Sequence, residues 1–346
     1  MTGRTARDDG VRRTKRTAVM RDVAKLAGVS HQTVSRVLNN HANVRPETRD
    51  RVIEAMRHLD YQRNTAARAL VTRRSQTLGL VTFDTTLVGP ASMVYGIEQA
   101  ARDAGYFVSI VSVRTLEREV VIDAIKRLRE QAVEGIIAIA PQDSAVAALS
   151  KVPEDIPVVG VGVGQSADVP MVGVDNTTGA AMAVRHLLDL GHRTVAHIAG
   201  PSTWPEAQER ETGWRRALHD AGIDAPAARP GDWSARSGYE HGHTLAADPR
   251  VTALFCANDQ MALGALSAIY QVGRRVPQDV SVVGFDDIPE AAYLHPPLTT
   301  VRQDFAAVGR QSLELLVEQL ASGSRSPKRL LLTPSLVIRA SSGRVE

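Results

Sequence analysis

The stretch from Met20 to Asn39, MRDVAKLAGVSHQTVSRVLN, constrains the fold more than any other part of the chain, because it encodes two short amphipathic helices set at a tight angle. In its first half Val23, Leu26 and Ala27 are spaced i, i+3, i+4 while Arg21, Asp22 and Lys25 fall elsewhere, so one face has to be buried. Gly28 supplies the left-handed backbone that ends a helix, and Ser30 is a suitable N-cap for a second helix starting at His31. There Val34, Val37 and Leu38 repeat the apolar spacing, which leaves His31, Gln32, Thr33, Ser35 and Arg36 facing outward. Such a face suits base edges in a DNA groove, where Gln pairs bidentately with adenine and Arg with guanine, at roughly 1 to 3 kcal/mol of discrimination each. A helical hairpin with a solvated polar face carries the same pattern. The following residues favour DNA. Val44 to Tyr61 is predicted to form a third helix, with Pro46 in its first turn and Val52, Ala55, Met56 and Leu59 as its buried stripe, which completes a three-helix unit.

Charge is distributed to match. The net charge is only +3, but residues 1 to 74 hold 17 Lys and Arg against 7 Asp and Glu, whereas the remainder holds 24 against 31. A basic module that binds phosphates, attached to a body that need not touch nucleic acid, gives this asymmetry. Residues 1 to 17, rich in Arg and poor in apolar side chains, read as a disordered arm that adds unspecific attraction to phosphates; a solubilising tail would have the same composition.

The segments DVAKLAGVS, QTVSRVLN and ETRDRVIEAMRHLDYQRN resemble the headpiece of the lactose-repressor (LacI/GalR) family of transcription regulators. One departure is Arg45, where the family caps its third helix with Ser or Thr. After the headpiece, Asn64 to Val71 (NTAARALV) contains good helix formers behind a possible Asn64 cap, yet at eight residues it falls short of the ~12 to 15 that an isolated helix needs. Taken alone it could be a flexible linker. The family resemblance implies a hinge helix that pairs with its copy in the minor groove of DNA, with Leu70 as the wedge between base pairs; such a wedge costs a few kcal/mol of unstacking per step, offset by contacts the bend permits. The candidate DNA-binding set is His31, Gln32, Thr33, Ser35, Arg36 and Asn39 in the headpiece and Asn64, Arg68 and Leu70 in the hinge.

From Leu78 onward short β-branched runs alternate with helical patterns: LGLVTF, YFVSIVSV, GIIAIA, PVVGVGV, MVGVD, TVAHIAG, ALFCAND and VSVVGFDD, with helices such as Met93 to Ala104 and Leu116 to Gln131 between them. Nearly continuous apolar strands belong to parallel sheets covered on both faces, so the body is a doubly wound α/β structure. Its length suits two lobes, with a ligand in the cleft outside the carboxyl ends of the strands. The resemblance implies a periplasmic-binding-protein-like core whose chain crosses between lobes near Asp175, Gln303 and Thr333. The expected organisation is an arm at 1–17, a helix-turn-helix headpiece at 18–63, a hinge at 64–74 and an effector-binding core at 75–346. Its first lobe takes about 75–175 and 304–332, and its second about 176–302 and 333–346.

Resemblance also runs through GDWSARSGY, ANDQMALGA, SVVGFDD and PPLTTVRQDF, and it implies an effector cleft lined by Arg210, Trp233, Asn258, Asp286, Gln303 and Phe305. The chemistry points the same way: carboxylate, amide and guanidinium groups bracket adjacent sugar hydroxyls, and scarce aromatic rings (three Trp, five Phe) cover the C–H faces. By spacing alone, Asn258 and Asp286 could instead cap helices, Arg210 could be surface and Trp233 core. Gly162 and Ile139 stand where the lactose-responsive branch of the family has Asp and Asn, so specificity for lactose itself is not expected. Phe83 and Asp84 follow the first strand, where they are candidates to stack on a sugar and to replace the missing carboxylate.

Other classes are less well supported. The chain has no run of eighteen apolar residues and its N-terminus lacks a secretory apolar core, so a cytoplasmic protein without membrane insertion is expected; a sugar-binding receptor with no DNA role would carry an export signal and lack the headpiece. The single Cys256 excludes an internal disulfide. Gly160, Gly162 and Gly164 follow a strand, but Gln165 occupies the place of the third glycine of a dinucleotide fingerprint. His241 and His243 are two apart on a predicted helix and so on different faces, which disfavours a metal site. Neither GxSxG nor HExxH occurs, and no catalytic residue, cofactor or metal is expected. The sum is a repressor whose partners are pseudo-palindromic double-stranded operator DNA, a small sugar effector and a second copy of itself. The end of the chain at Glu346, soon after SLVIRAS and without a heptad segment, favours a dimer over a tetramer.

Overall fold

The computed structural model describes residues 18–38, 41–62, 74–139, 143–153, 155–163, 169–325 and 327–345. The chain divides into two compact units, residues 1–74 and 75–346.

The first unit holds helices α1 (Met20–Ala27), α2 (His31–Leu38) and α3 (Pro46–His58). Gly28 ends α1 at φ 64°, and the amide of Val29 reaches back to Ala24 O at 3.0 Å, so the turn into α2 closes on the helix's own carbonyls. Ser30 then caps α2, its Oγ accepting from Thr33 N at 3.1 Å. Val23, Val34 and Val52, one from each helix, are fully buried together, joined by Ala24, Ala27, Val37 and Ala55. Leu26 is not part of this core but 51% exposed. The seam of α1 runs through Met20, Val23, Ala24 and Ala27, and Leu26 lies about 110° around the helix from its centre. Helix α3 begins at Pro46 and ends at His58, inside the expected span, and Arg45 gives it no side-chain cap.

The second unit is built from two six-stranded sheets. Strands β1 (Thr77–Phe83), β2 (Phe107–Val113), β3 (Ile136–Ile139), β4 (Val158–Val161) and β5 (Met171–Val174) lie in the order β5-β4-β3-β1-β2, all parallel. Helices α4 (Val88–Asp103), α5 (Arg118–Glu130) and α6 (Asp143–Leu149) connect them. The second lobe repeats the plan. Strands β6 (Ala196–Ala199), β7 (Arg229–Pro230), β8 (Ala253–Cys256), β9 (Ser281–Asp286) and β10 (Thr299–Arg302) lie in the order β10-β9-β8-β6-β7, accompanied by α7 (Asn176–Asp189), α8 (Pro205–Asp220), α9 (Ala235–Ala246) and α10 (Asp259–Gln271). After β10, helix α11 (Phe305–Ser322) returns to the first lobe, where the Gln319 amide holds both the N–H and the C=O of Val158 at 3.1 Å. Strand β11 (Arg329–Leu332) then joins the first sheet beside β5, and β12 (Ser335–Val337) joins the second, antiparallel to β10. The chain therefore passes between the sheets after β5, β10 and β11.

Central strands are buried on both faces, as their composition requires. Edge strand β2 is half-exposed, with Phe107 and Ile110 at the surface, so its apolar run does not mark a covered strand. Helices α4 and α5 begin at Val88 and Arg118 rather than at the expected Met93 and Leu116. Among the described residues no helix is long and apolar enough to cross a membrane.

Candidate functional site

The carboxyl ends of the two sheets face one another, and between them lies a cavity of about 260 Å³. Each lobe contributes residues that directly follow its strands, which is where ligands bind in doubly wound sheets. The second lobe supplies Trp204 and Arg210 after β6, Trp233 after β7, Asn258 after β8, Asp286 at the end of β9 and Gln303 after β10; Asn176 lies at the first crossing. From the first lobe come mainly Leu87, Val88, Pro90 and Met93 after β1, Ile139 from β3, Val161 to Val163 from β4, and Phe305 at the start of α11.

Arg210 is the centre of the polar wall. Its side chain is 7% exposed, and its Nε donates to Asn176 Oδ1 at 2.9 Å while one terminal nitrogen donates to the carbonyl of Ala257 and lies 3.6 Å from Asp286 Oδ1. The guanidinium sits 3.9 Å over the Phe285 ring and 5.4 Å from that of Trp233, so its plane is fixed by stacking as well as by hydrogen bonds. Burial lowers its pKa from the ordinary arginine value, opposed by the negative charges of Asp286, Glu206, Asp259 and Glu209. Asp286 accepts from Gln303 Nε2 at 2.6 Å. Burial pushes its carboxyl up to about 6, against the pull of Arg210 and that hydrogen bond. Behind it Asp259, fully buried, accepts from Thr300 Oγ1 at 2.6 Å and from Ile288 N at 2.9 Å, and burial together with the charge of Asp286 pushes it up to about 8.

Backbone strain collects here. Trp233 (φ 71°), Asp286 (φ 115°) and Asp287 (φ 54°) all have positive φ, a conformation that costs of order 1 to 3 kcal/mol each outside glycine. The consecutive strained residues send adjacent carboxylates apart: Asp286 to the cavity, and Asp287 to Arg302 Nε at 2.6 Å and Arg339 at 2.7 Å, on β10 and just beyond β12. Trp233 is placed edge-on to Trp204, ring centroids 5.7 Å apart, and a side chain on Gly200 would overlap its six-membered ring, so only glycine leaves it room. Trp233 Nε1 is buried and has no acceptor among the described residues.

Six of the eight expected effector residues, Arg210, Trp233, Asn258, Asp286, Gln303 and Phe305, thus line one cavity. Asn258 also caps α10, its Oδ1 accepting from Met261 N at 2.9 Å while Nδ2 donates to Trp233 O at 3.0 Å; capping and lining are both met by one amide. Phe83 and Asp84 are not brought to the cavity wall. Phe83 is buried in the first-lobe core, 5.4 Å from the Trp204 ring, and the exposed Asp84 turns its carboxylate to the amide and hydroxyl of Thr86. Asp84 therefore does not replace the carboxylate missing at Gly162. Trp204 and Asn176 are additions; Trp204 carried a signal, a scarce aromatic directly after strand TVAHIAG, as Trp233 follows β7.

In the first unit His31, Gln32 and Arg36 are exposed on α2, and Thr33 and Ser35 half-exposed; the Thr33 hydroxyl is within 2.9 Å of Ser30 Oγ. Asn39, Asn64, Arg68 and Leu70 lie outside the described residues. The amides of Gly160 and Gly162 donate to Pro170 and Val172 in the sheet, which removes them from any phosphate cradle. Among the described residues no group of three or more His, Cys, Asp or Glu could hold a metal ion.

Comparison with known proteins yields consistent matches. Residues 19–64 match the model of bacterial regulatory proteins of the lacI family, and residues 184–342 that of a periplasmic binding protein-like domain. The lactose operon repressor of Klebsiella pneumoniae is 36% identical over 329 residues, covering 94% of this chain and 93% of the relative. A crystal structure of the lac repressor dimer bound to operator and the anti-inducer ONPF superposes with a TM-score of 0.84 at 36% identity, covering 95% of this chain and 100% of the other. A complex of the transcriptional regulator CelR with cellobiose superposes with a TM-score of 0.69 at 33% identity, covering 94% and 99%.

Proposed function

The chain belongs to the LacI family of bacterial regulatory proteins, and from that premise we propose that it is a transcriptional repressor whose hold on operator DNA is set by a small sugar or glycoside in the cleft between its lobes. It acts as a homodimer in the cytoplasm, without a catalytic step: one headpiece reads one half-site, and a pseudo-palindromic operator mirrors the protein's two-fold symmetry. The observation that carries the proposal is the pairing, in one chain, of an exposed donor face on α2 with a buried Arg210–Asp286–Gln303 constellation in the cleft of the body.

The chemistry of recognition follows from the constellation. A sugar hydroxyl donates to Asp286 and accepts from Arg210, and its C–H face lies on Trp233. Because these groups are buried, a sugar lacking a matching hydroxyl leaves a polar group unpaired, and selectivity results. The ligand can move the DNA-binding equilibrium only by its differential affinity for two lobe arrangements, typically about 1 to 3 kcal/mol of coupling. We assign transmission to the hinge: a change in the first lobes of a dimer separates the paired hinge segments, and Leu70 leaves its wedge.

Selection of tight-binding duplexes from a random pool, followed by gel-shift titration, tests the DNA half; recovery of a pseudo-palindrome bound with nanomolar affinity is expected, and a pool that never converges overturns it. A calorimetric screen of mono- and disaccharides and their glycosides tests the other half. The sugar that binds should change operator affinity in wild type but not in Asp286→Ala, which should hold operator as wild type does.

A further inference from the structure

Neighbouring residues of α8 serve different lobes. Arg210 turns into the cavity, while Glu209, about 100° around the helix from it, reaches the first lobe. Glu209 Oε1 lies 3.4 Å from a terminal nitrogen of Arg329, the first residue of β11, and the same nitrogen donates to Val163 O on the cavity wall at 3.1 Å. The other carboxylate oxygen, Oε2, accepts from Asn176 Nδ2 at 3.5 Å. Asn176 is 1% exposed; its Nδ2 also donates to Val174 O at 3.0 Å, and its Oδ1 accepts from Arg210 Nε at 2.9 Å. These contacts gather where the chain crosses between lobes, since Asn176 follows β5, and β11 lies beside β5 with Arg329 opposite Met171 and Leu332 opposite Val174. Burial raises the Glu209 carboxyl from its ordinary value, opposed by the charge of Arg329 and the Asn176 hydrogen bond. Neither Glu209 nor Arg329 is among the residues that line the cavity.

Resting on the sugar-effector reading, we propose that Glu209 and Arg329 are positioning residues for effector recognition, an ion pair across the lobe crossing that holds Arg210 in place through Asn176 without touching the effector. The Asn176 amide can present either its oxygen or its NH2 group to Arg210, and only the oxygen accepts from a guanidinium. Glu209 and Val174 O, both acceptors, require the NH2 group on their own side and so turn the oxygen toward Arg210. Arg329 in turn holds the Glu209 carboxylate at the first lobe. Because the two partners belong to different lobes, a change in the angle between lobes alters their separation and loosens the support of Arg210. Effector affinity then depends on lobe arrangement, which is the differential affinity that a ligand needs in order to shift an equilibrium. The pair is partly open to solvent, with side chains 40% and 27% exposed, so dissolved salt screens it.

The test uses calorimetry on the full-length protein with methyl glucopyranosides, galactopyranosides and xylopyranosides in both anomers and the disaccharides maltose, cellobiose and lactose, all uncharged. The tightest binder of that set is then titrated at 50 and 500 mM sodium chloride. Wild type should bind it at least threefold more weakly at high salt, although the sugar itself carries no charge. Arg329→Gln and Glu209→Gln should each bind at least threefold more weakly than wild type at low salt and show no further change at high salt. The double variant should be no weaker than either single one, because both remove the same interaction. Arg329→Lys, which keeps the charge, should keep the salt dependence. An affinity in wild type that is level with salt, single variants that bind as wild type does, or losses that add in the double variant overturn the positioning role while leaving a sugar effector in place. If no sugar of the set binds wild type, the sugar reading itself falls, and the positioning role with it.

Discussion

Acidification should weaken effector binding, and Asp286 sets by how much. Its carboxylate is 8% exposed, lies 3.6 Å from Arg210 and accepts from Gln303 at 2.6 Å, yet burial outweighs both and pushes it from 3.8 up to about 6. A hydroxyl donor binds the ionised form, so the dissociation constant scales with one plus the ratio of protonated to ionised carboxyl. That factor is about 1 at pH 7.5 and about 11 at pH 5, a tenfold loss worth about 1.4 kcal/mol. Asp259, raised by burial and by the charge of Asp286, is pushed to about 8 and so stays protonated across most of that range. The unliganded fold responds with the opposite sign. Between pH 3.8 and 6 the folded Asp286 carboxyl keeps a proton that it releases in the unfolded chain, so its own contribution to stability falls as pH rises through this window, by on the order of 3 kcal/mol. Calorimetric titration of wild type and Asp286→Asn with the glycoside that binds, from pH 5 to 8, checks the affinity half. Wild type should show the tenfold fall, and Asp286→Asn a weaker but level affinity. A level profile in wild type, or an equal fall in Asp286→Asn, would refute the assignment of the titrating group.

Further consequences concern the headpiece, hinge and aromatic wall. Gln32→Ala and Arg36→Ala should each relax discrimination at one operator base pair by roughly 1 to 3 kcal/mol, read by anisotropy on single-base operator variants; an equal loss on random duplex would make them phosphate contacts instead. Leu70→Ala should weaken operator binding far more than random-DNA binding, and equal losses would exclude a wedge. Gly200→Ala would push its new methyl group into the Trp233 ring, an overpacking worth about 1 to 3 kcal/mol, and should shift tryptophan emission and weaken sugar binding. Unaltered sugar affinity in a destabilised Gly200→Ala protein would take Trp233 out of the site.

What the sequence made legible, and what it hid, follows from which signals are local. Helix-turn-helix geometry rests on contacts within a few residues, so Gly28 at φ 64° and the Ser30 cap could both be anticipated from residue type. Leu26 could not be separated from Val23 and Ala27 by spacing alone, since choosing between neighbouring stripes depends on where α2 and α3 pack. In the core the same limit appears at Phe83. A parallel strand covered on both faces has no polar alternation, so nothing local says which end residue turns into the cleft, and Phe83 turns into its own lobe. Asp84 was hidden for a different reason: a carboxylate two residues before Thr86 satisfies itself locally, at the cost of φ 21°. Arg210 and Asp286 escape this ambiguity because each breaks the rule of its surroundings, a cation in a helix face otherwise packed on the sheet and a carboxylate closing an apolar strand. Buried charge is costly unless paired, so two such departures 76 positions apart in sequence point to one place in space, and the 3.6 Å between them is where the two departures resolve.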